Sequence, residues 1–376
     1  MHVVVVAHTR HPISQPFAGG LESVTWHLAR GLVARGHRVS VFADRHSDPI
    51  PGVDYLWPDR LELSEAARRD VSMPEEGWME RHHAYLQLML HLARRTDVDL
   101  VHTHALHHLP AAMAPSLGVP TVLTLHTPPT PWLESAIAIA GTAPRRDRLH
   151  VTAVSRWTAA AWRHVTPARV VRNGVDVREW TPGPGGPGLV WSGRIVPEKA
   201  PHLAARIARR AGLPLTIAGP VSDEDYAREM LWPWCGRDGG VSYAGHLPTA
   251  ELARLVGRSA ALLVTPAWDE PFGLVAAEAL ACGTPVLGFA RGGLPEVVGP
   301  GVGRLVPPGD DATLVEQAAA LVPDVVRLPR ARARAHAVAH HSMDRMVEDY
   351  LGVYDDVLAA APPRPLGAAV GPAAAR

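Results

Sequence analysis

Apolar and polar positions along the chain fall into two alternating kinds of segment. Val3–Ala7 is an unbroken apolar, mostly β-branched run of the kind that fills a strand buried on both faces. After a polar loop from His8 to Gly20, Leu21–Arg35 places Val24, Leu28 and Leu32 on one helical face, Gly36 ends it, and Val39–Ala43 reads as a second strand. The alternation continues with a helix at Tyr85–Arg95, a strand at Leu100–Thr103 and a helix at Pro110–Leu117. Strands at Thr121–His126 and Val151–Ser155 follow, then a helix at Thr158–His164. This pattern predicts a doubly wound α/β unit.

Thr181-Pro-Gly-Pro-Gly-Gly-Pro-Gly188 interrupts the pattern as a linker would. Beyond it the alternation restarts. Strands are expected at Leu189–Ser192, Pro214–Ala218, Val241–Ala244, Ala261–Thr265 and Pro285–Phe289. Helices are expected at Ala200–Ala211, Glu251–Arg258, Leu274–Ala281 and about Asp344–Leu358. The reading is thus an N-terminal Rossmann-like domain over 1–177, a linker over 178–188 and a second Rossmann-like domain over 189–343. The Ala/Pro/Gly-rich segment 361–376 reads as a disordered tail.

Composition narrows the function. Lys plus Arg and Asp plus Glu are each 37, so the chain lacks the global basic field of a nucleic-acid binder. Cys235 and Cys282 form no C-x-x-C pair, which argues against a disulfide framework or a cysteine zinc site and fits a reducing compartment. The apolar run at the N-terminus is short and has no basic flank, and no run approaches a membrane span. The longest apolar candidate, Ala136–Ala143, lies between Glu134 and Arg145. The expectation is a cytoplasmic protein, with room for peripheral membrane contact.

The densest chemistry lies at Asp269-Glu-Pro-Phe-Gly-Leu-Val-Ala-Ala-Glu278. Pro271 and Gly273 make a turn, and a helix opens near Leu274. The leading amides of Gly273, Leu274 and Val275 lack intrahelical partners and form an anion site. Glu270 and Glu278 bracket it. A carboxylate beside a phosphate site suits sugar hydroxyls, although Glu278 would also simply favour the helix N-terminus. Upstream, Gly193 allows close backbone approach, Arg194 offers a bidentate fork and Lys199 a point charge, which suits a diphosphate.

Gly193-Arg194…Lys199, together with Glu270-Pro-Phe-Gly-Leu-Val…Glu278, resembles the retaining glycosyltransferases of family GT4, which have the GT-B fold. Asn173-Gly-Val-Asp176, Gly292-Gly-Leu-Pro-Glu296 and Gly19-Gly20 appear in the family's order, so the resemblance covers nearly the whole chain. It implies a nucleotide-diphosphate-sugar donor in the second domain and transfer of a hexose to a hydroxyl of a small-molecule, saccharide or lipid acceptor. Glu278 would hold the ribose, Arg194 and Lys199 the diphosphate, and Glu270 the donor sugar. The Gly273–Val275 amides would meet the distal phosphate or sugar, Phe272 would belong to the same donor-binding stretch, and Gly19 and Gly20 would close on the diphosphate from the first domain. His126, at a strand end, would lie near the donor sugar and the acceptor. The last helix, about 344–360, would pack back on the first domain. Within the family, Arg10–Gly20 and Ile217–Asp223 resemble a bacterial branch that decorates small molecules, a neighbourhood that includes avilamycin-type antibiotic and pterin glycosylation.

Other readings compete. A nucleotide-sugar isomerase on the same fold would bind the same donor, and a non-catalytic sugar-binding relic would not keep the charged set. His102-Thr-His104-Ala-Leu-His107 resembles a metallohydrolase motif, but Leu106 stands where that motif has Asp. Asp97-Val-Asp99 and Asp223-Glu-Asp225 match a loose metal-diphosphate pattern, yet the GT-B resemblance implies that Arg, Lys and helix amides neutralise the diphosphate. No metal and no cofactor are expected. G-x-G-x-x-G and the P-loop pattern are absent.

Overall fold

The computed structural model describes residues 1–72, 74–236 and 240–360. The expected tail at 361–376 lies outside the described residues. Two parallel sheets form the framework. The first contains β1 (His2–Val6), β2 (Arg38–Phe42), β3 (Val53–Leu56), β4 (Leu100–Thr103), β5 (Thr121–Leu125), β6 (Leu149–Ala153) and β7 (Arg169–Val170), in the order β3-β2-β1-β4-β5-β6-β7. The second contains β8 (Leu189–Ser192), β9 (Leu215–Ala218), β10 (Val241–Tyr243), β11 (Ala261–Val264), β12 (Val286–Phe289) and β13 (Gly303–Val306), in the order β10-β9-β8-β11-β12-β13. In each sheet the winding reverses beside the first strand, between β1 and β4 and between β8 and β11. Ligands collect beyond the strand C-termini at such switch points.

β1 shows why its sequence has no polar alternation. All five of its residues are buried, with Val3 set between Leu100 and Val39 in register. The helix Gly20–Val33 covers one face of this sheet. Beside it lies the helix Met343–Ala360, far along the chain, whose Met346, Val347, Tyr350 and Tyr354 share a core with Val3, Val5 and Leu28. The two helices approach closely at Gly31, where a Cβ would stand 2.5 Å from Val347 Cγ2. Polar bonds fix the second helix. Tyr354 Oη is 2.6 Å from His102 Nδ1, and Tyr350 Oη is 3.1 Å from Thr124 Oγ1.

The chain passes between the two sheets twice, and the two crossings are tied together. The Val175 amide donates to the His341 carbonyl at 2.8 Å, and the Met343 amide donates to the Val175 carbonyl at 2.9 Å. A Cβ at Gly174 would fall 2.6 Å from the Ser342 carbonyl oxygen, so only glycine fits there. The Thr181–Gly188 segment is strapped onto the second sheet's side. Gly183 and Gly185 donate to Cys282 and Gly257 carbonyls, and a Cβ at Gly183 would meet the Gly257 carbonyl oxygen at 2.2 Å. Its glycines serve close approach of backbones.

Several elements differ from expectation. The helix Glu76–Leu92 begins well before Tyr85. Helices at Pro131–Thr142, Asp311–Val325 and Arg330–His340, and strands β3, β7 and β13, were not apparent in the pattern. The Ala136–Ala143 run lies largely in the first of these helices, and among the described residues no helix is long and apolar enough to cross a membrane.

Candidate active site

The second sheet supplies one wall of a cleft. β8 ends at Ser192, and Gly193 (φ 151°) lies beside Gly219 (φ 142°), which follows β9. A Cβ at Gly219 would stand 1.8 Å from the Gly193 carbonyl oxygen, so the two loops meet backbone to backbone. Arg194 leaves this crossing half-exposed, with Nη2 3.4 Å from Glu198 Oε1. One short helical turn, Pro197–Lys199, follows, and Ala200 takes up a left-handed conformation (φ 45°) before the helix Pro201–Ala211 begins. Lys199 is thereby directed to the Glu270 carboxylate, with which it forms an ion pair.

Glu270 is fixed from behind. Gly292 (φ 62°) packs so closely that a Cβ there would be 2.2 Å from the Glu270 carbonyl oxygen, and the Gly293 amide donates to that oxygen at 2.6 Å. The Glu270 carboxylate also accepts from Trp268 Nε1 at 3.3 Å, and the Lys199 ammonium lies 5.0 Å from the Trp268 ring centroid. The helix Leu274–Ala281 starts from Gly273 (φ 92°), and its leading amides lack intrahelical acceptors. One turn in, the Glu278 carboxyl reaches the cleft. It has no hydrogen-bond or ion-pair partner among the described residues, and burial pushes its pKa up to about 8.

The first sheet's side provides the opposite rim through Phe17, Ala18, Gly19, Gly20 and Ser23. Gly20 abuts the second unit: a Cβ there would be 3.1 Å from Leu274 Cδ2. His246 Nε2 lies 3.0 Å from the Phe17 carbonyl oxygen, a polar bond across the cleft mouth. Together these walls enclose about 250 Å³.

Of the residues singled out in the sequence, Gly19, Gly20, Arg194, Lys199, Glu270, Leu274, Val275 and Glu278 line this one cleft. Three do not. Phe272 is 3% exposed and packs in the apolar core, edge-on to His341 at 5.8 Å. Gly273 forms the turn behind the cleft wall. His126 is half-buried on the first sheet's side, with Nε2 2.9 Å from His104 Nδ1, and burial followed by the field of His8 pushes it down to about 3.

Sequence reasoning missed Trp180, Trp191, His246, Leu247, Thr249 and Leu252, which also line the cleft. Gly245 before His246, a turn residue at φ 83°, was the available signal. It also missed Glu22, a buried acid in the first turn of the helix Gly20–Val33. Its pKa is raised by burial, while Arg194 opposes that rise across the cleft.

The H-x-H pair is not arranged to hold a metal. His102 is fully buried and uses both nitrogens, Nδ1 toward Tyr354 Oη and Nε2 2.8 Å from Thr124 Oγ1. The D-x-D matches are structural too. Asp99 accepts from the His2 amide at 2.7 Å, Asp97 pairs with Arg95, and Asp223 caps Tyr226 at 2.9 Å.

Residues 18–179 match the family model described as Glycosyltransferase Family 4, and residues 178–336 match that of Glycosyl transferases group 1. The chain is 30% identical to the D-inositol 3-phosphate glycosyltransferase of Mycolicibacterium smegmatis, across 96% of this chain and 92% of that protein. The chain belongs to glycosyltransferase family 4. As a member of that family it is a transferase, and the alternative readings as isomerase or metallohydrolase are not favoured. Solved structures agree on the GT-B fold. A glycosyltransferase of avilamycin A biosynthesis superposes with TM-score 0.69 at 22% identity, over 96% of this chain and 99% of that one. An Anabaena protein solved with UDP and glucose superposes with TM-score 0.71 at 17% identity, over 94% and 99%. In this family-4 enzyme the cleft between the two Rossmann-like units is therefore the candidate active site.

Proposed function

We propose that this glycosyltransferase moves a hexose, with retention, from a nucleotide-diphosphate sugar to a hydroxyl of a small-molecule, saccharide or lipid acceptor. The observation that carries the reading is the convergence of Glu278, Arg194, Lys199, Glu270 and the Leu274–Val275 amides in one cleft. The Anabaena neighbour, solved with UDP and glucose, supports the donor class.

Each group has a task that its chemistry suits. Glu278 accepts from the ribose hydroxyls. Arg194 and Lys199 neutralise the diphosphate, and the helix amides stabilise charge as it builds on the leaving oxygen. Glu270, released from Lys199 when phosphate takes the ammonium, accepts from the donor sugar. In front-face transfer the leaving phosphate oxygen takes the acceptor hydroxyl's proton, so the bond to the nucleotide breaks on the side where the new one forms. His126, held by His104 in a neutral pair, borders the acceptor side. On this reading the donor chemistry needs no metal, the enzyme works in the cytoplasm, and its setting is bacterial natural-product glycosylation.

The test is calorimetric titration with UDP, GDP, ADP and dTDP in EDTA, followed by anomeric analysis of the product by NMR. Micromolar binding of one nucleotide and a retained anomeric configuration are expected. Binding of none, or inversion, would overturn the reading.

A further inference from the structure

Among the described residues, two groups of side chains outside the donor reading bring three ligating atoms within 4.8 Å of one another. In the first, His27, Asp176 and Glu179, the carboxylates already face Arg178 at 3.0 Å and Arg30 at 3.0 Å, so their charge is balanced. The second, His82, His107 and His108, has no carboxylate and holds unused ring nitrogens. His82 comes from the helix Glu76–Leu92. His107 and His108 follow β4 and open the helix His108–Met113. His82 Nδ1 and His107 Nε2 are buried without a hydrogen-bond partner among the described residues, which is costly for a polar atom unless something else binds there.

We propose that His82, His107 and His108 form a three-imidazole site for a divalent transition metal of the zinc class. The rings are held from outside by aromatic stacking: Trp78 on His82 at 5.0 Å, Tyr85 on His107 at 4.6 Å and Trp132 on His108 at 5.1 Å. Neutral imidazole carries the lone pair that a metal needs.

Three costs accompany coordination. Bonds of about 2.0–2.1 Å require the rings to close up from their present spacing. Binding through His107 Nε2 places the ring proton on Nδ1, which then loses the 3.2 Å bond from the Leu109 amide. Arg81, close enough to depress His107, also opposes added positive charge. These costs select an ion with strong bonds to imidazole over calcium or magnesium. A bound ion would join the Glu76–Leu92 helix to the loop after β4 and leave a fourth position to solvent. None of the three rings lines the donor cleft, so the site is independent of the metal-free donor chemistry.

The experiment takes the full chain, stripped with EDTA and freed of chelator, and titrates it with zinc by calorimetry and with cobalt by visible absorption. One equivalent of zinc and the visible bands of tetrahedral, nitrogen-ligated cobalt are expected. His82→Gln, His107→Gln and His108→Gln should each weaken zinc binding by about tenfold or more, as loss of a ligand demands. His340→Gln, in the separate group with His336 and His341, should leave it unchanged. Absence of a stoichiometric site, or a site that survives both His82→Gln and His108→Gln, would overturn the proposal. Circular dichroism of each variant checks the fold. Nucleotide binding in EDTA reports on the donor cleft separately, so failure of one reading is distinguishable from failure of the other.

Discussion

Glu278 is a carboxyl with no hydrogen-bond or ion-pair partner among the described residues, on an otherwise apolar helix, and that isolation makes its proton a reporter. Its pKa in the folded chain is about 8, against an ordinary 4.5. The folded state therefore keeps a proton that the unfolded state has lost, and stability falls as pH rises from about 4.5 to about 8. Glu278→Gln should remove that part of the slope, read as melting temperature against pH. The same variant should weaken nucleotide binding about 10–100-fold, the loss of a charged hydrogen bond. Wild type should release a proton on binding, because ribose hydroxyls prefer the ionised form. Calorimetry in buffers of different ionisation enthalpy detects this, and the release should vanish in the variant. Lys199→Ala should lower kcat/KM by about 10²–10³-fold, the usual loss when one stabiliser of a leaving anion is removed. Steady-state kinetics with the donor identified by titration would measure it. Arg194, Lys199, Glu270 and Glu278 were legible because charged groups beside Gly and Pro turns have few structural uses. Trp180, Leu247 and Leu252 were not, since an apolar residue looks the same whether it lines a cleft or a core.

At the scale of elements, the strands of both sheets were the most readable feature. A buried parallel strand is written as an apolar run, and Val3–Val6, Leu189–Ser192 and Ala261–Val264 are such runs. Helices that depart from an apolar stripe escaped. Arg330–His340 alternates Arg and Ala and buries only the small Ala333 and Ala337, so it has no marked face. Asp311–Val325 contains Pro323, which reads as a breaker although it sits close enough to the helix end to be tolerated. β7 is two residues long and has no pattern to find. The loop crossing at Gly219 yields a sharp expectation. Gly219→Ala sets a Cβ against the Gly193 carbonyl oxygen and forces a conformation that L residues avoid, which costs about 1–3 kcal/mol before any repacking. Denaturant unfolding should show that loss, and nucleotide binding should weaken with it because Arg194 follows directly from Gly193.

For the whole molecule, the two units are joined at the paired crossings, Val175 with His341 and Met343, and touch across the cleft at Gly20–Leu274 and His246–Phe17. The helix Met343–Ala360 anchors to the first unit through apolar packing and through Tyr354 on His102. Tyr354→Phe leaves His102 Nδ1 buried and unpaired, which should cost about 1–3 kcal/mol in urea unfolding while the nucleotide affinity of the distant cleft stays as it was. The same anchoring has a consequence for synthesis. β1 is made before the second unit, and the helix Met343–Ala360 that shares its core is made only after the entire second unit. Until then the core of Val3, Val5 and Leu28 has the helix Gly20–Val33 but lacks Met346, Val347, Tyr350 and Tyr354. The first unit must wait, partly uncovered and within reach of chaperones, for a segment translated long after it.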